Sequence, residues 1–149
     1  MIREALGTDI PRIVELGSRS LVDGPYKDLL KDTPEQSARL ALQVIQNSNG
    51  KVLLLENDEG KVVGLLAFII FPHYFTGELT AGELIWYVVP EERPGCGALK
   101  LLWAAEKLAK QMKATRMQFT APTAEVGAIY KRFGYEQVEV TFQKSLESH

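Results

Sequence analysis

Residues 90–102, Pro-Glu-Glu-Arg-Pro-Gly-Cys-Gly-Ala-Leu-Lys-Leu-Leu, combine small side chains and a cation in a pattern that suits anion binding. Apolar residues precede them and apolar residues spaced three and four apart follow, which predicts a strand, a short turn and a helix. Backbone N–H groups at the start of such a helix favour phosphate, and Gly95 and Gly97 would let its oxygens approach closely. Arg93 can donate further hydrogen bonds. The pattern predicts an anion-binding turn; the alternative is a turn that serves only tight turning and helix packing.

Two well-known phosphate-binding motifs do not fit this turn. The dinucleotide-binding fingerprint needs a third glycine three residues after the second, where this chain has Lys100. The phosphate loop of nucleotide hydrolases needs Gly-Lys followed by Ser or Thr, which this segment lacks. The residues alone therefore indicate an anion site of neither kind.

Length and composition predict a single domain over residues 1–149, with 46% hydrophobic residues available for a core. A net charge of −2 gives no general basic field, so we expect neither nucleic acid nor a membrane as partner. The longest apolar run, residues 62–71, is about half the length that a membrane-spanning helix needs. The N-terminus does not resemble a signal peptide, and the single cysteine, Cys96, excludes an intrachain disulfide. A cytoplasmic protein is expected.

Hydrophobic periodicity predicts alternating strands and helices. Thr8 and Thr33 are expected to cap two helices, with Pro34 at the first position of the second. Residues 21–33 are predicted to be a loop or a broken helix, and residues 71–82 a loop. The predicted order is strand, two helices, three strands, helix, strand, helix, strand, with strands over residues 2–5, 51–56, 61–71, 83–89, 115–120 and 136–144. The last alternates apolar and polar residues, as a half-exposed strand does.

This order, together with two motifs, resembles the Gcn5-related N-acetyltransferase (GNAT) family over essentially the whole chain. Residues 88–93, Val-Val-Pro-Glu-Glu-Arg, match the family's approach to a turn of pattern Arg/Gln-x-x-Gly-x-Gly/Ala. Residues 130–135, Tyr-Lys-Arg-Phe-Gly-Tyr, are similar to its Tyr-x-x-x-Gly-Phe motif. The resemblance implies an α/β (α+β) fold with a mixed, largely antiparallel central sheet of six to seven strands, about four flanking helices, and a CoA cleft between strands 4 and 5.

The resemblance also implies acetyl-CoA as co-substrate. The turn amides and Arg93 would hold its pyrophosphate, and the Val88 N–H, near a bulge that separates the fourth and fifth strands, would polarise the thioester. Counted from Arg93, the family's glycine positions hold Cys96 and Ala98; a register that starts at Glu92 restores both glycines but places an acid where Arg or Gln is expected. The implied cofactor-binding residues are Val88, Arg93, Pro94, Gly95, Cys96, Gly97, Ala98 and Thr123, the last standing where many members have Asn.

Two residues are implied to be catalytic. Glu83, on the fourth strand, would act as general base through ordered water, and Tyr130 would protonate the leaving thiolate as general acid. The structural alternatives are a solvated carboxylate at a strand end for Glu83 and a packed aromatic residue for Tyr130. Cys96 has no Cys-His-Asn context for a nucleophile. His73 and His149 do not form a metal-binding pattern, so no metal is expected.

Together these features predict an acetyl-CoA-dependent N-acetyltransferase that transfers the acetyl group to a primary amine by direct attack in a ternary complex. The acceptor is expected to be a small-molecule or peptide amine, because one fold serves many acceptors. Aromatic residues in two loops, Tyr26, His73, Tyr74 and Phe75, could shape its pocket. A non-catalytic GNAT-fold module that acts through CoA or protein binding is the alternative. The half-exposed last strand could pair across a homodimer.

Overall fold

A computed structural model describes residues 1–26 and 30–147 as one sheet with helices on both faces. The strands are β1 (Ile2–Glu4), β2 (Gly50–Glu56), β3 (Val62–Pro72), β4 (Leu79–Val88) and β5 (Arg116–Gln118). The α-helices are α1 (Ile10–Asp23), α2 (Pro34–Gln46), α3 (Gly97–Gln111) and α4 (Ala124–Arg132). Short 3-10 helices, Gly7–Asp9 and Pro90–Glu92, lead into α1 and into the turn before α3. Within these ranges no helix has the length and apolar character needed to cross a membrane.

The strand order is β1-β2-β3-β4-β5, with antiparallel neighbours except for the parallel pair β4 and β5. Residues 62–68 of the central strand β3 are buried without interruption, because both faces of the strand are covered. Tyr87 hydrogen-bonds to Asp23 of α1, whereas its neighbour Trp86 hydrogen-bonds to Ala98 of α3. Since successive side chains of a strand point to opposite faces, α1 and α3 lie on opposite sides of the sheet.

One extra residue in β4 shapes the centre of the molecule. Phe68 of β3 pairs with Glu83 and Ala67 pairs with Ile85, so Leu84 has no partner and forms a β-bulge. A bulge bends its strand and changes the direction of the side chains beside it. The pairing of β4 with β5 covers only Thr80–Gly82 and ends just before the bulge. Because β5 ends at Gln118, residues 83–88 of β4 have no strand of the described ranges beside them on this edge. The cleft expected between strands 4 and 5 would lie along this unpaired edge.

The predicted final strand is wrong. Residues 136–147 contain no strand and are exposed throughout, so the described sheet has five strands rather than six to seven. Val138, Val140 and Phe142 are 74%, 62% and 91% exposed. An alternating pattern specifies which side of a strand is apolar, but it does not supply the neighbouring strand that hydrogen-bonds to it.

The hairpin between β3 and β4 is tighter than predicted. Residues 71–82 were expected to form a loop, but β3 continues to Pro72 and β4 begins at Leu79. Gly82 lacks a side chain where a Cβ would lie 2.8 Å from Phe71 Cε1. The glycine therefore allows close packing inside the sheet instead of marking a loop. The helix α1 continues to Asp23, into the segment 21–33 that was expected to be a loop or a broken helix; residues 27–29 lie outside the described ranges.

Candidate active site

Glu83 lies just beyond the part of β4 that pairs with β5. Its Oε1 atom accepts a hydrogen bond from the Thr120 N–H at 3.0 Å. Burial raises the pKa of the carboxyl group from 4.5 to about 7, and the hydrogen bond from Thr120 opposes this shift only partly. Near neutral pH both protonation states of Glu83 are therefore populated. Such a carboxyl group can accept and release a proton under those conditions.

Tyr130 lies on α4, is 6% exposed, and faces the same peptide segment. Its hydroxyl group donates a hydrogen bond to the Thr120 carbonyl oxygen at 3.1 Å. Burial raises the pKa of this phenol, and the nearby Glu83 and Tyr135 raise it further. Tyr130 therefore keeps its proton at neutral pH and can donate it.

Thr120 brings these two side chains together, and sequence reasoning missed it. The strand β5 ends at Gln118, so the main chain of Thr120 is not part of the sheet. Its N–H binds Glu83 and its C=O binds Tyr130. No sequence signal could have identified Thr120, because the contacts use main-chain atoms that every residue except proline possesses.

Aromatic rings connect β4 with the segment after β5 and with α4. The ring centroid of Trp86 lies 6.1 Å from that of Phe119 and 5.6 Å from that of Tyr130. Phe119 and Tyr130 are 5.1 Å apart. Trp86 Nε1 donates to the Ala98 carbonyl oxygen at 3.1 Å, so the aromatic cluster also contacts the first turn of α3. These contacts connect the Glu83–Tyr130 region with the predicted anion-binding turn.

The bulge determines the face of the sheet on which the Glu83 side chain lies. Glu83 pairs with Phe68 and Trp86 pairs with Leu66, two residues away on β3. Because strand side chains alternate, Glu83 and Trp86 lie on the same face of the sheet. Their separation of three positions would put them on opposite faces of a regular strand. The extra Leu84 therefore directs Glu83 to the face where Trp86 lies.

The turn before α3 leaves several backbone donors free. The first helical hydrogen bond runs from the Lys100 N–H to the Cys96 carbonyl oxygen, at 3.0 Å. The N–H groups of residues 95–98 bind no partner among the described residues, as is usual for the first turn of a helix. Cys96 itself is exposed. These amides lie at the positive end of a 15-residue helix, where an anion is favoured.

The two glycines of the turn differ in their surroundings. A Cβ on Gly97 would lie 2.6 Å from Leu55 Cδ2, so this glycine allows α3 to pack closely on β2. A Cβ on Gly95 would meet only the Glu92 carbonyl oxygen, at an ordinary 3.7 Å. The alternative interpretation of the motif, helix packing, therefore applies to Gly97, while the free amides retain their capacity to bind an anion.

Arg93 contacts the protein itself at the edge of this turn. Its Nε donates to the Val88 carbonyl oxygen at 2.7 Å, and its guanidinium carbon lies 5.4 Å from the centroid of the Tyr87 ring. The Tyr87 hydroxyl donates in turn to the Asp23 carboxylate. Burial, followed by the interaction with Asp23, raises the pKa of Tyr87 to about 12. The terminal nitrogens of Arg93 bind no described residue and point to no internal partner.

The two carboxylates before the turn have partners elsewhere. The Oε2 atom of Glu91 lies 3.5 Å from Nη2 of Arg19 on α1. Glu92 Oε1 accepts a hydrogen bond from Asn57 Nδ2, in the turn between β2 and β3, at 3.3 Å. The positive charge of Arg19 reduces the repulsion that Glu91 would exert on an anion bound at residues 95–98, whereas the neutral Asn57 amide only holds the Glu92 side chain in place.

The remaining predicted residues have separate locations. Thr123 caps α4, and its Oγ1 accepts a hydrogen bond from the Val126 N–H at 3.3 Å. His73, Tyr74 and Phe75 form their own aromatic cluster at the β3–β4 turn, several residues along β4 from Glu83. His149 lies outside the described residues. In the described ranges no three His, Cys, Asp or Glu side chains are grouped as metal ligands would be. A surface cavity of about 290 Å³ lies away from the cleft and is lined by Ser48, Asn49, Ile70, Pro72, Leu79 and Met112.

Comparison with protein families identifies the family of the chain. The family model described as "Acetyltransferase (GNAT) family" matches residues 20–135, which include the bulged strand, the turn and α4. The chain belongs to the GNAT family of acetyltransferases. A search of curated proteins gave no match.

Solved structures show the same fold at low sequence identity. A predicted acetyltransferase from Clostridium acetobutylicum, solved with acetyl-CoA, is 18% identical and superimposes with a TM-score of 0.80, covering 98% of this chain and 96% of its own. The aminoglycoside antibiotic 6'-N-acetyltransferase from Acinetobacter haemolyticus is 21% identical, with a TM-score of 0.76 and 99% of both chains covered. At these identities the similarity establishes the fold.

Proposed function

We propose that this acetyltransferase uses acetyl-CoA to acetylate a primary amine by direct attack in a ternary complex. The observation that carries the proposal is that Glu83 and Tyr130 both bind the main chain of Thr120, just beyond the end of β5. A titratable carboxyl group and a protonated phenol that bind the main chain of one residue would supply the base and the acid that amide formation needs.

The donor would lie along the unpaired edge of β4 with its pyrophosphate on the turn. The free N–H groups of residues 95–98 and the exposed terminal nitrogens of Arg93 fit this anion. The predicted cofactor-binding residues also include Pro94, which has no N–H group and would only shape the turn. They include Thr123 as well, whose Oγ1 caps α4 and whose hydroxyl hydrogen would donate to the ligand. Acetyl-CoA supplies the acetyl group as a thioester, and the Val88 N–H would polarise its carbonyl.

Proton transfer follows from the two side chains. As the amine nitrogen bonds to the acyl carbon and the carbon–sulfur bond breaks, Glu83 would take a proton from the amine, directly or through water. Tyr130 would give its proton to the departing sulfur. The raised pKa of Glu83, about 7, makes this carboxyl a better base than an ordinary one.

The proposal is tested in two stages. Thermal unfolding with acetyl-CoA at a hundredfold its dissociation constant should show about 2.7 kcal/mol of added stability. A panel of small-molecule and peptide amines, followed by release of free thiol, should then identify an acceptor. Binding without transfer to any amine would favour a non-catalytic CoA-binding module, and no binding would contradict the donor site.

The order of the reaction can be tested with the only thiol of the chain, Cys96. Direct attack predicts that initial rates, measured while both substrates vary, give intersecting lines, because both substrates are bound before any product leaves. Cys96→Ala should retain turnover, since no acyl-cysteine intermediate is needed. Parallel lines, together with loss of activity in Cys96→Ala, would instead indicate a covalent mechanism.

We also propose that the chain forms a homodimer. The exposed apolar residues of the segment 136–147, including Val138, Val140 and Phe142, would be covered if two copies associated there. Light scattering coupled to size-exclusion chromatography should give twice the 16.6 kDa chain mass. A chain that ends at Tyr135 should then be monomeric, and a monomeric full-length protein would contradict the prediction.

A further inference from the structure

Val88 ends β4 with its main chain turned toward the cleft. The Val89 N–H donates to the Val63 carbonyl oxygen at 3.0 Å, and Val88 pairs with Gly64. Hydrogen-bonded and non-hydrogen-bonded pairs alternate along antiparallel strands. The bond at Val89 therefore makes Val88 and Gly64 a non-hydrogen-bonded pair. Both polar groups of Val88, its N–H and its C=O, point away from β3, toward the edge of β4 that has no paired strand beyond Gly82 among the described residues.

Arg93 holds one of these two groups. Its Nε donates to the Val88 carbonyl oxygen at 2.7 Å, which closes the turn over residues 88–93 through a side chain. The guanidinium carbon lies 5.4 Å from the ring centroid of Tyr87. Tyr87 is only 7% exposed and is itself held by Asp23 at the end of α1. The direction of the Val88 carbonyl group is thereby tied to a side chain that the core keeps in place.

We propose that Arg93 is a positioning residue for acyl transfer: by holding the Val88 carbonyl, it fixes the direction in which the Val88 N–H meets the thioester oxygen. This inference rests on the proposed function and adds a second role to Arg93. Its terminal nitrogens would face the pyrophosphate while its Nε orders the strand end near the acyl group. One side chain would thus connect both ends of the donor site. Lysine carries the same charge, but it has no planar fork and cannot make both contacts.

A donor without a pyrophosphate distinguishes the two roles of Arg93, pyrophosphate binding and positioning of Val88. With S-acetylpantetheine as donor, Arg93→Lys should lower kcat/KM at least tenfold relative to the natural chain, because the loss occurs at the acyl end. If Arg93 served the pyrophosphate alone, the variant would match the natural chain with this short donor, and the inference would be overturned. Arg19→Lys is the matched control. Arg19 pairs with Glu91 in the same region without contacting Val88, so this variant should act like the natural chain on both donors.

The positioning role of Arg93 can also be tested without acetyl transfer, and therefore independently of the proposed function. The backbone order parameter of Val88 from ¹⁵N relaxation should be close to the rigid value of about 0.85 in the natural chain. It should fall in Arg93→Lys and stay unchanged in Arg19→Lys. An unchanged value in Arg93→Lys would overturn the positioning role, whether or not acetyl transfer occurs. A lowered value in a protein that transfers no acetyl group would uphold the contact and contradict the proposed function.

Discussion

Replacing Glu83 by Gln tests the buried carboxyl group through stability as well as catalysis. Gln keeps the shape, and its side-chain oxygen can still accept the Thr120 N–H, but it does not titrate. In the folded chain burial raises the pKa of Glu83 to about 7, against an ordinary value of 4.5. The folded state therefore keeps a proton that the unfolded chain has already released. The contribution of Glu83 to the free energy of unfolding is therefore fully present below pH 4.5 and is lost as the pH rises to about 7. Above pH 7 this contribution changes little.

The size of the effect follows from the two pKa values. Each unit of pKa difference corresponds to about 1.4 kcal/mol, so the full change is about 3.5 kcal/mol. Between pH 5 and pH 8, where most of it falls, the free energy of unfolding should drop by about 2.5 kcal/mol because of Glu83. Other carboxyl groups titrate equally in both proteins. The stability of Glu83→Gln relative to the natural chain should therefore rise by that amount over the same range.

Urea unfolding of both proteins at pH 5, 6, 7 and 8 measures this difference directly. A difference that stays constant within about 0.5 kcal/mol would refute the argument, because it would mean that the carboxyl group is solvated in the folded chain. Once an acceptor is known, kcat/KM of the natural chain should rise with pH up to about 7. Glu83→Gln should be slower, with a defect that shrinks at high pH, where the amine deprotonates unaided.

Three other substitutions or labels test the rest of the site. Tyr130→Phe removes the proton donor, so turnover should fall about ten- to a thousandfold at every pH while calorimetry shows unchanged CoA affinity; natural turnover would contradict its role as acid. Arg93→Glu replaces a phosphate donor by a repulsive charge and should weaken CoA binding at least tenfold, as calorimetry would show, without unfolding the chain; equal affinity would remove this residue from the donor site. Alkylation of the exposed Cys96, followed by mass spectrometry, should be slowed by saturating acetyl-CoA; equal rates would place the thiol away from the ligand.

Elements with strong local signals could be predicted from the sequence. The continuous apolar run in β3 and the three-and-four spacing after Gly97 define a buried strand and an amphipathic helix. The order of elements through α4 followed from such patterns, and the family resemblance supplied the cleft. The candidate catalytic pair also came from the resemblance, and the contacts of Glu83 and Tyr130 with one peptide now give that pair a geometric basis.

Features that depend on main-chain register could not be predicted. The resemblance implied a bulge near Val88, but the structure has it at Leu84. Nothing in the residue type of Leu84 marks it as unpaired, because a bulge arises from how two strands align. Thr120 acts through its backbone, and Arg93 reaches a carbonyl oxygen five residues earlier in the chain. Residues 136–144 show the opposite case. Their apolar and polar residues alternate as in a strand, but a strand also needs a neighbouring strand to pair with, and the pattern does not specify one.

The bulge at Leu84 also sets a length. After it, residues 85–88 of β4 run free of β5, and at about 3.3 Å per residue they present roughly 13 Å of strand edge. A ligand that binds along this edge while its charged end rests on the turn must match that span. Moving the unpaired residue by one position would change the distance from the bulge to the end of β4 by about one step. In the proposed complex, the position of this residue would therefore set how far the acyl group lies from the end of the strand.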